Sequence, residues 1–227
     1  MSSTTRPTVT PRRAGDPEPD LTGIRLSHRA MVRDCGRIAA VVAAIASGRR
    51  HCTPARARAV SRYVDLLCES IHHHHSTEDQ VAWPVIEASA GSHVDLTELT
   101  EDHAALDPRL AQLRARAAAF RISDGDAATA RPLAELSDLH TLIGEHIVEE
   151  EREIFPVITA HVSFSDWEGV EKAAQKRGRM SFDAPRHLAV MTEEEWIRLG
   201  ATINPLLRVL FALLSVRHRR IERAVFG

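Results

Sequence analysis

The chain has 227 residues, of which 44% are hydrophobic and 26% charged, and a formal net charge of −2. That length holds one domain with a sizeable core, or one domain and an appendage. A near-neutral globular balance lacks the basic bias of a nucleic-acid binder, and the longest apolar run, Pro205 to Val216, is interrupted by Arg208 and too short to span a bilayer.

Residues 1–20 are polar, contain Pro7, Pro11, Pro17 and Pro19 and have no apolar secretory stretch, so they read as a disordered N-terminal tail. A first helix is predicted from about Leu21 to Ser47, with Leu26, Ile38, Val41, Val42 and Ile45 as apolar positions and Gly48 as its stop. A second opens at Thr53-Pro54, a cap followed by proline at the first helical position, and runs past Tyr63, Ile71 and Ile86 to before Gly91. A third runs from about Asp95 to Phe120 with Pro108 inside it. A fourth runs from about Ala127 to His161, irregular near Pro132. Pro84 and Pro156 fall inside helical patterns and predict matched bends.

Residues 163–227 read as a C-terminal helical extension. Ser165 to Glu168 has capping-box spacing and Gly178 to Met191 reads as a loop. Thr192 to Glu195 is a second capping box. Asn204-Pro205 opens a last helix that closes on Arg217 to Arg220. Its apolar length suits packing over the core or a homodimer contact. No alternation of period two is present, so the fold class is all-α. Cys35, Cys52 and Cys68 have no CxxC spacing and read as reduced thiols of a cytoplasmic protein.

One pattern occurs twice. His74-x-x-x-Glu78 is followed by Trp83-Pro84-Val85-Ile86, and His146-x-x-x-Glu150 by Phe155-Pro156-Val157-Ile158. A further histidine precedes each copy: His28 in Leu26 to Ala30 and His103 in Glu101 to Ala105. Residues i and i+4 share a helix face, so each His–Glu pair can reach one centre. Four helices supplying His28, His74 with Glu78, His103, and His146 with Glu150 form a ligand set for two metal ions inside a four-helix bundle. Such ions lie roughly 3.5–4 Å apart, and imidazole with carboxylate suits iron. In the run His72 to His75 only His74 has the partner Glu78 and the proline, so His72, His73 and His75 are expected to be solvated or to sit behind the ligands. Glu149, Glu151 and Glu153 are expected to form a solvated face, with a hydrogen bond from Glu149 or Glu151 to a ligand imidazole as the alternative. Tyr63 should face the core, too far up the helix to ligate.

At these residues, over roughly Leu21 to Val162, the chain resembles the hemerythrin-like, or HHE cation-binding, family. The resemblance implies an up-down four-helix bundle holding a non-haem, oxygen-bridged pair of iron ions. It also implies His28, His74, Glu78, His103, His146 and Glu150 as ligands, with the two carboxylates bridging. The oxygen-carrier branch has a second histidine four residues from the one on the third helix; here that position is Asp107, and four before His103 is Leu99. Asp107, His73, His75 or water is left to complete the set. The expected function is binding of, or reaction with, O2, NO or peroxide, including peroxidase-like, catalase-like or NO-consuming activity. The alternative is an iron- or redox-sensing interaction module without turnover. A carboxylate-rich ferritin-like oxidase carries Glu-x-x-His motifs, whereas here the order is His-x-x-x-Glu.

Overall fold

A computed structural model of the chain describes residues 7–227, so the first six residues of the expected tail lie outside the described residues. Every regular element among the described residues is helical. The first, α1 (Thr22–Ala46), buries Met31, Cys35, Ile38, Val42 and Ile45 at helical spacing. It is followed by Gly48 at φ +73°, a backbone geometry that favours glycine. Thr53 caps α2 (Pro54–Thr77), its hydroxyl accepting the Arg56 N–H at 3.2 Å.

The second helix changes type at the proline. Residues Glu78–Ala82 form a π-helical turn, and α3 (Trp83–Ala90) follows directly. The Trp83 N–H bonds the Glu78 carbonyl, so one extra residue is wound in just before Pro84. Proline lacks an N–H and crowds the preceding turn, and a widened turn accommodates both defects. Pro156 lies inside α6 (Leu136–His161) with no change of helix type. The two copies of the motif therefore differ at their prolines. Between them, α4 (Thr97–Ile122) carries Pro108 internally, and α5 (Ala127–Ala130) and a 3₁₀ segment (Arg131–Glu135) precede α6, as the irregularity near Pro132 predicts.

The extension contains more structure than the sequence suggests. Ser163, not Ser165, caps α7 (Phe164–Arg177), accepting the Asp166 N–H at 3.1 Å. The expected loop from Gly178 to Met191 contains a helix, α8 (Met180–Leu188). Tertiary contacts hold it: Phe182 is buried, and the guanidinium of Arg186 donates to Asp34 of α1 at 2.6 Å with both side chains enclosed. Thr192 and Glu195 form the complete capping box of α9 (Glu193–Thr202). Asn204 caps α10 (Pro205–Phe226), which runs past the basic residues expected to end it. Its last turn has a reason to persist: Val225 is buried, and Phe226 meets the Tyr63 ring edge-on at 5.2 Å.

Helix α2 packs on α4 and on α1, and α6 packs on α1 and on α4. Two apolar clusters fill the interior. One contains Met31, Ile71, Leu106 and Ile143; the other contains Ile24, Ala82, Leu99 and Ile154. On each long helix the His and Glu residues of the motif fall between members of the two clusters, for example His28 between Ile24 and Met31. The extension packs on one side of this core, α10 against α2 and α1, α8 against α1, and α7 against α2. Residues 7–20, read as tail, are tied down at two points: the Thr10 N–H donates to Asp166 at 2.7 Å and the Trp167 indole N–H to the Asp20 carbonyl at 3.0 Å. No helix among the described residues is long and apolar enough to cross a membrane.

Candidate metal centre

The six residues singled out by the repeat converge between the two apolar clusters. All six are buried or nearly so, His74 being the most accessible. Two groups of ligand atoms form, each within 4.8 Å: His28, His74, Glu78 and Glu150 in one, and His103, His146 and His75 in the other. The Nε2 atoms of His28 and His74 are 3.1 Å apart, and so are those of His103 and His146.

Each carboxylate stands between imidazoles of both groups. Glu78 places Oε1 2.9 Å from His74 Nε2 and Oε2 3.7 Å from His103 Nε2. Glu150 places Oε2 3.5 Å from His28 Nε2 and 3.9 Å from His146 Nε2. Their spacing on one helix face brings each close to its own histidine. The packing of α2 on α4 and of α1 on α6 brings each close to the other.

His75 is one of the positions that the sequence leaves open, either behind the ligands or completing the set. It is 3% exposed and stacks on His103 with ring centroids 4.2 Å apart. The reason is geometric. Successive residues point about 100° apart around a helix, and α2 lies between α1 and α4, so His74 meets His28 of α1 while His75 meets His103 of α4. A fifth imidazole thus enters from α2. Asp107, the other position left open, is half exposed and accepts from His72 at 2.7 Å at the surface. His73 is half-buried and its Nε2 atom is enclosed without a partner.

Two carboxylates orient the lone histidines. Glu151 Oε1 bonds His28 Nδ1 at 2.9 Å, and Asp79 Oδ1 bonds His103 Nδ1 at 2.8 Å. Each therefore directs the opposite ring nitrogen, Nε2, toward the centre. Glu151 belongs to the expected solvated face, and instead the His28 hydrogen bond holds its carboxyl below the ordinary range. The motif aromatics back the same two rings. Phe155 stacks on His28 at 6.0 Å and Trp83 on His103 at 6.1 Å. A signal for this was present: in both copies the glutamate is followed directly by a second acid, Glu78-Asp79 and Glu150-Glu151.

The electrostatics of the protein groups alone are those of an unsatisfied donor set. Burial pushes the carboxyls of Glu78 and Glu150 up to about 8, the latter with help from the charge of Glu78. Burial also lowers the imidazole of His74 to about 3 and that of His146 to about 4. Both oxygens of Glu78, both of Glu150 and both ring nitrogens of His75 are buried without a hydrogen-bond partner among the described residues. Orphaned buried polar atoms in this number are costly unless something else satisfies them. Neutral imidazoles and carboxylates aimed at common points fit cations.

Comparison with protein-family models matches residues 20–158 to the hemerythrin HHE cation-binding domain. The chain belongs to this family. Neither the comparison with curated proteins nor that with solved structures gave a match. The family match runs from α1 into the last turn of α6, includes every histidine and carboxylate of the centre, and ends before α7. Cation binding is the property that names this family, and the chain's His and Glu clusters have the composition to hold cations.

Proposed function

We propose that this protein is a non-haem di-iron protein that binds or reacts with O2, NO or peroxide. In this reading α1, α2 with α3, α4, and α6 are the up-down four-helix bundle of the family. His28 and His74 would hold one ion and His75, His103 and His146 the other, with the carboxylates of Glu78 and Glu150 available to both. The observation that carries it is the position of the two carboxylates, each within 4 Å of imidazoles from both groups. Three nitrogens on one side and two on the other supply the two ions unequally, which favours an open position for a small molecule on the two-nitrogen side.

Bound iron would supply redox and Lewis-acid chemistry toward the small molecule. The chain's own contribution is to fix its donors. Glu151 and Asp79 hold the Nδ1 protons of His28 and His103, which keeps both rings in one tautomer and one orientation. Trp83, Phe155 and the flanking apolar clusters limit the access of water. Three free thiols, Cys35, Cys52 and Cys68, support a reducing, cytoplasmic setting. Exposed Trp196, Ile197, Leu206, Val209 and Leu213 on α9 and α10 support a homodimer through the extension.

Metal content and the visible spectrum of the aerobically purified protein test this reading. Two irons per chain with oxo-to-iron charge-transfer bands are expected. Both are expected to be lost in the double variant His74→Ala, His146→Ala. Two metals retained by that variant, or zinc alone in the parent, would overturn the assignment. Catalytic consumption of peroxide or NO then separates an enzyme from a sensor, which responds once per centre.

A further inference from the structure

A cavity of about 460 Å³ borders the centre, with His74 and Glu78 in its wall. Much of the remaining wall comes from residues beyond the family match: Trp167, Val170 and Ala174 of α7, Met180 of α8, and Leu207 and Phe211 of α10. Ile24 and Met31 of α1 complete an apolar lining. A water molecule occupies about 30 Å³ of liquid, so a diatomic gas needs a small fraction of this space. Sites for small organic molecules run from about 300 to 1,000 Å³ and are mostly apolar with a few polar groups.

Those polar groups narrow the occupant. Arg186 is 1% exposed and lines the cavity. Its Nε donates to Asp34 at 2.6 Å, and Nη1 donates to Ser70 at 3.0 Å and to Asp183 at 3.1 Å. Its Nη2 is buried with no acceptor among the described residues. A full negative charge would not be welcome, because Asp34 and Asp183 already balance the guanidinium. Asp183 and Glu171 also both stand in the wall.

We propose that the C-terminal helices close this cavity around an uncharged, mainly apolar organic molecule held beside His74 and Glu78. The proposal deepens the di-iron reading by placing an organic ligand next to that centre, but the cavity itself depends on α1, α2, the π-helical turn and the extension and needs no bound metal.

The test uses the full chain, both metal-loaded and chelator-treated, with the uncharged fluorophore N-phenyl-1-naphthylamine. Saturable enhancement at one probe per chain is expected in both forms. Decanol should displace the probe at a concentration about tenfold below that needed with decanoate at pH 8. Ala174→Phe, which fills the cavity, should weaken probe binding about tenfold, and Trp196→Ser on the exposed face of α9 should leave it unchanged. Val170→Trp serves the same purpose if Ala174→Phe does not fold. No saturable binding in a protein that takes up metal would overturn the cavity proposal and leave the metal reading standing. Probe binding in a protein that takes up no metal would do the reverse. Decanoate competing as well as decanol would overturn the uncharged occupant. Sensitivity to Trp196→Ser with indifference to both filling variants would place the probe on the outer face and overturn the site.

Discussion

Replacing His75 with leucine should stabilise the metal-free protein and weaken the metal-bound one. His75 is 3% exposed, and neither ring nitrogen has a partner among the described residues. Burial, with the neighbouring imidazoles of His103 and His74, holds its pKa well below the ordinary value, so the ring is neutral and unpaired. A buried polar group left unpaired costs about 1–3 kcal/mol. Leucine fills much of the same space without polar atoms. It forfeits the stacking on His103 at 4.2 Å, which is worth about 0.5–1.5 kcal/mol. The difference favours the variant by about 1 kcal/mol, or about 2–4 °C in Tm for a chain of this size. With metal the sign reverses, because one of the three imidazoles of its group is gone and the stabilisation by bound ligand falls with affinity. Thermal melts followed by circular dichroism, on chelator-treated protein with and without added Fe(II), read both effects. A stripped variant that melts below the stripped parent, together with undiminished stabilisation by metal, would refute the placement of His75 in the centre.

The carboxylates behind the lone histidines should matter nearly as much as ligands. Asp79→Asn and Glu151→Gln are each expected to lower metal affinity about 10–100-fold by chelator competition, while His72→Ala, at the surface, should not change it. Arg186→Met leaves Asp34 enclosed with the flanking contacts of Arg33 at 3.0 Å and Arg37 at 3.7 Å. Its cost is expected to be about 3 kcal/mol in urea unfolding, and a loss under about 1 kcal/mol would show the pair to be dispensable. Glu222 supplies an acid dependence. Burial raises its carboxyl, but His218 and Arg37 outweigh this and bring it down to about 2 from an ordinary 4.5. A depressed carboxyl stabilises the fold above its unfolded pKa and loses that contribution as pH falls toward 2. Glu222→Gln should flatten the stability profile between about pH 4.5 and 2, by roughly 2 kcal/mol after allowing for its partial exposure. A parallel profile in the two proteins would contradict the pairing.

The repeated motif was legible because its chemistry is periodic. Residues four apart share a helix face whatever the helix packs against, so His74 with Glu78 and His146 with Glu150 could be paired before any neighbour was known. Thr53, Thr192 and Asn204 were legible as caps for a similar reason, since a cap is satisfied within its own first turn. Misreadings came where a distant partner decides the local state. Helix α8 contains Pro185 and follows Gly178, both loop signals, and it is held by Asp34, a residue 152 positions away. For Glu151 the sequence left a solvated face and a hydrogen bond to a ligand imidazole both open, and α1 decides between them by bringing His28 to it across 123 positions.

The sequence by itself determined an all-helical chain with paired His and Glu residues on long helices, because helix formation and i,i+4 proximity depend on neighbours along the chain. Tertiary structure alone decided that His75 is enclosed against His103 while Asp107 lies half exposed. A helix carries side chains in every direction, and which direction is interior depends on where the other helices lie. It likewise decided that residues 163–227 wall a cavity against His74 and Glu78. The extension's own sequence specifies amphipathic helices, but only packing against α1 and α2 selects the faces that enclose space.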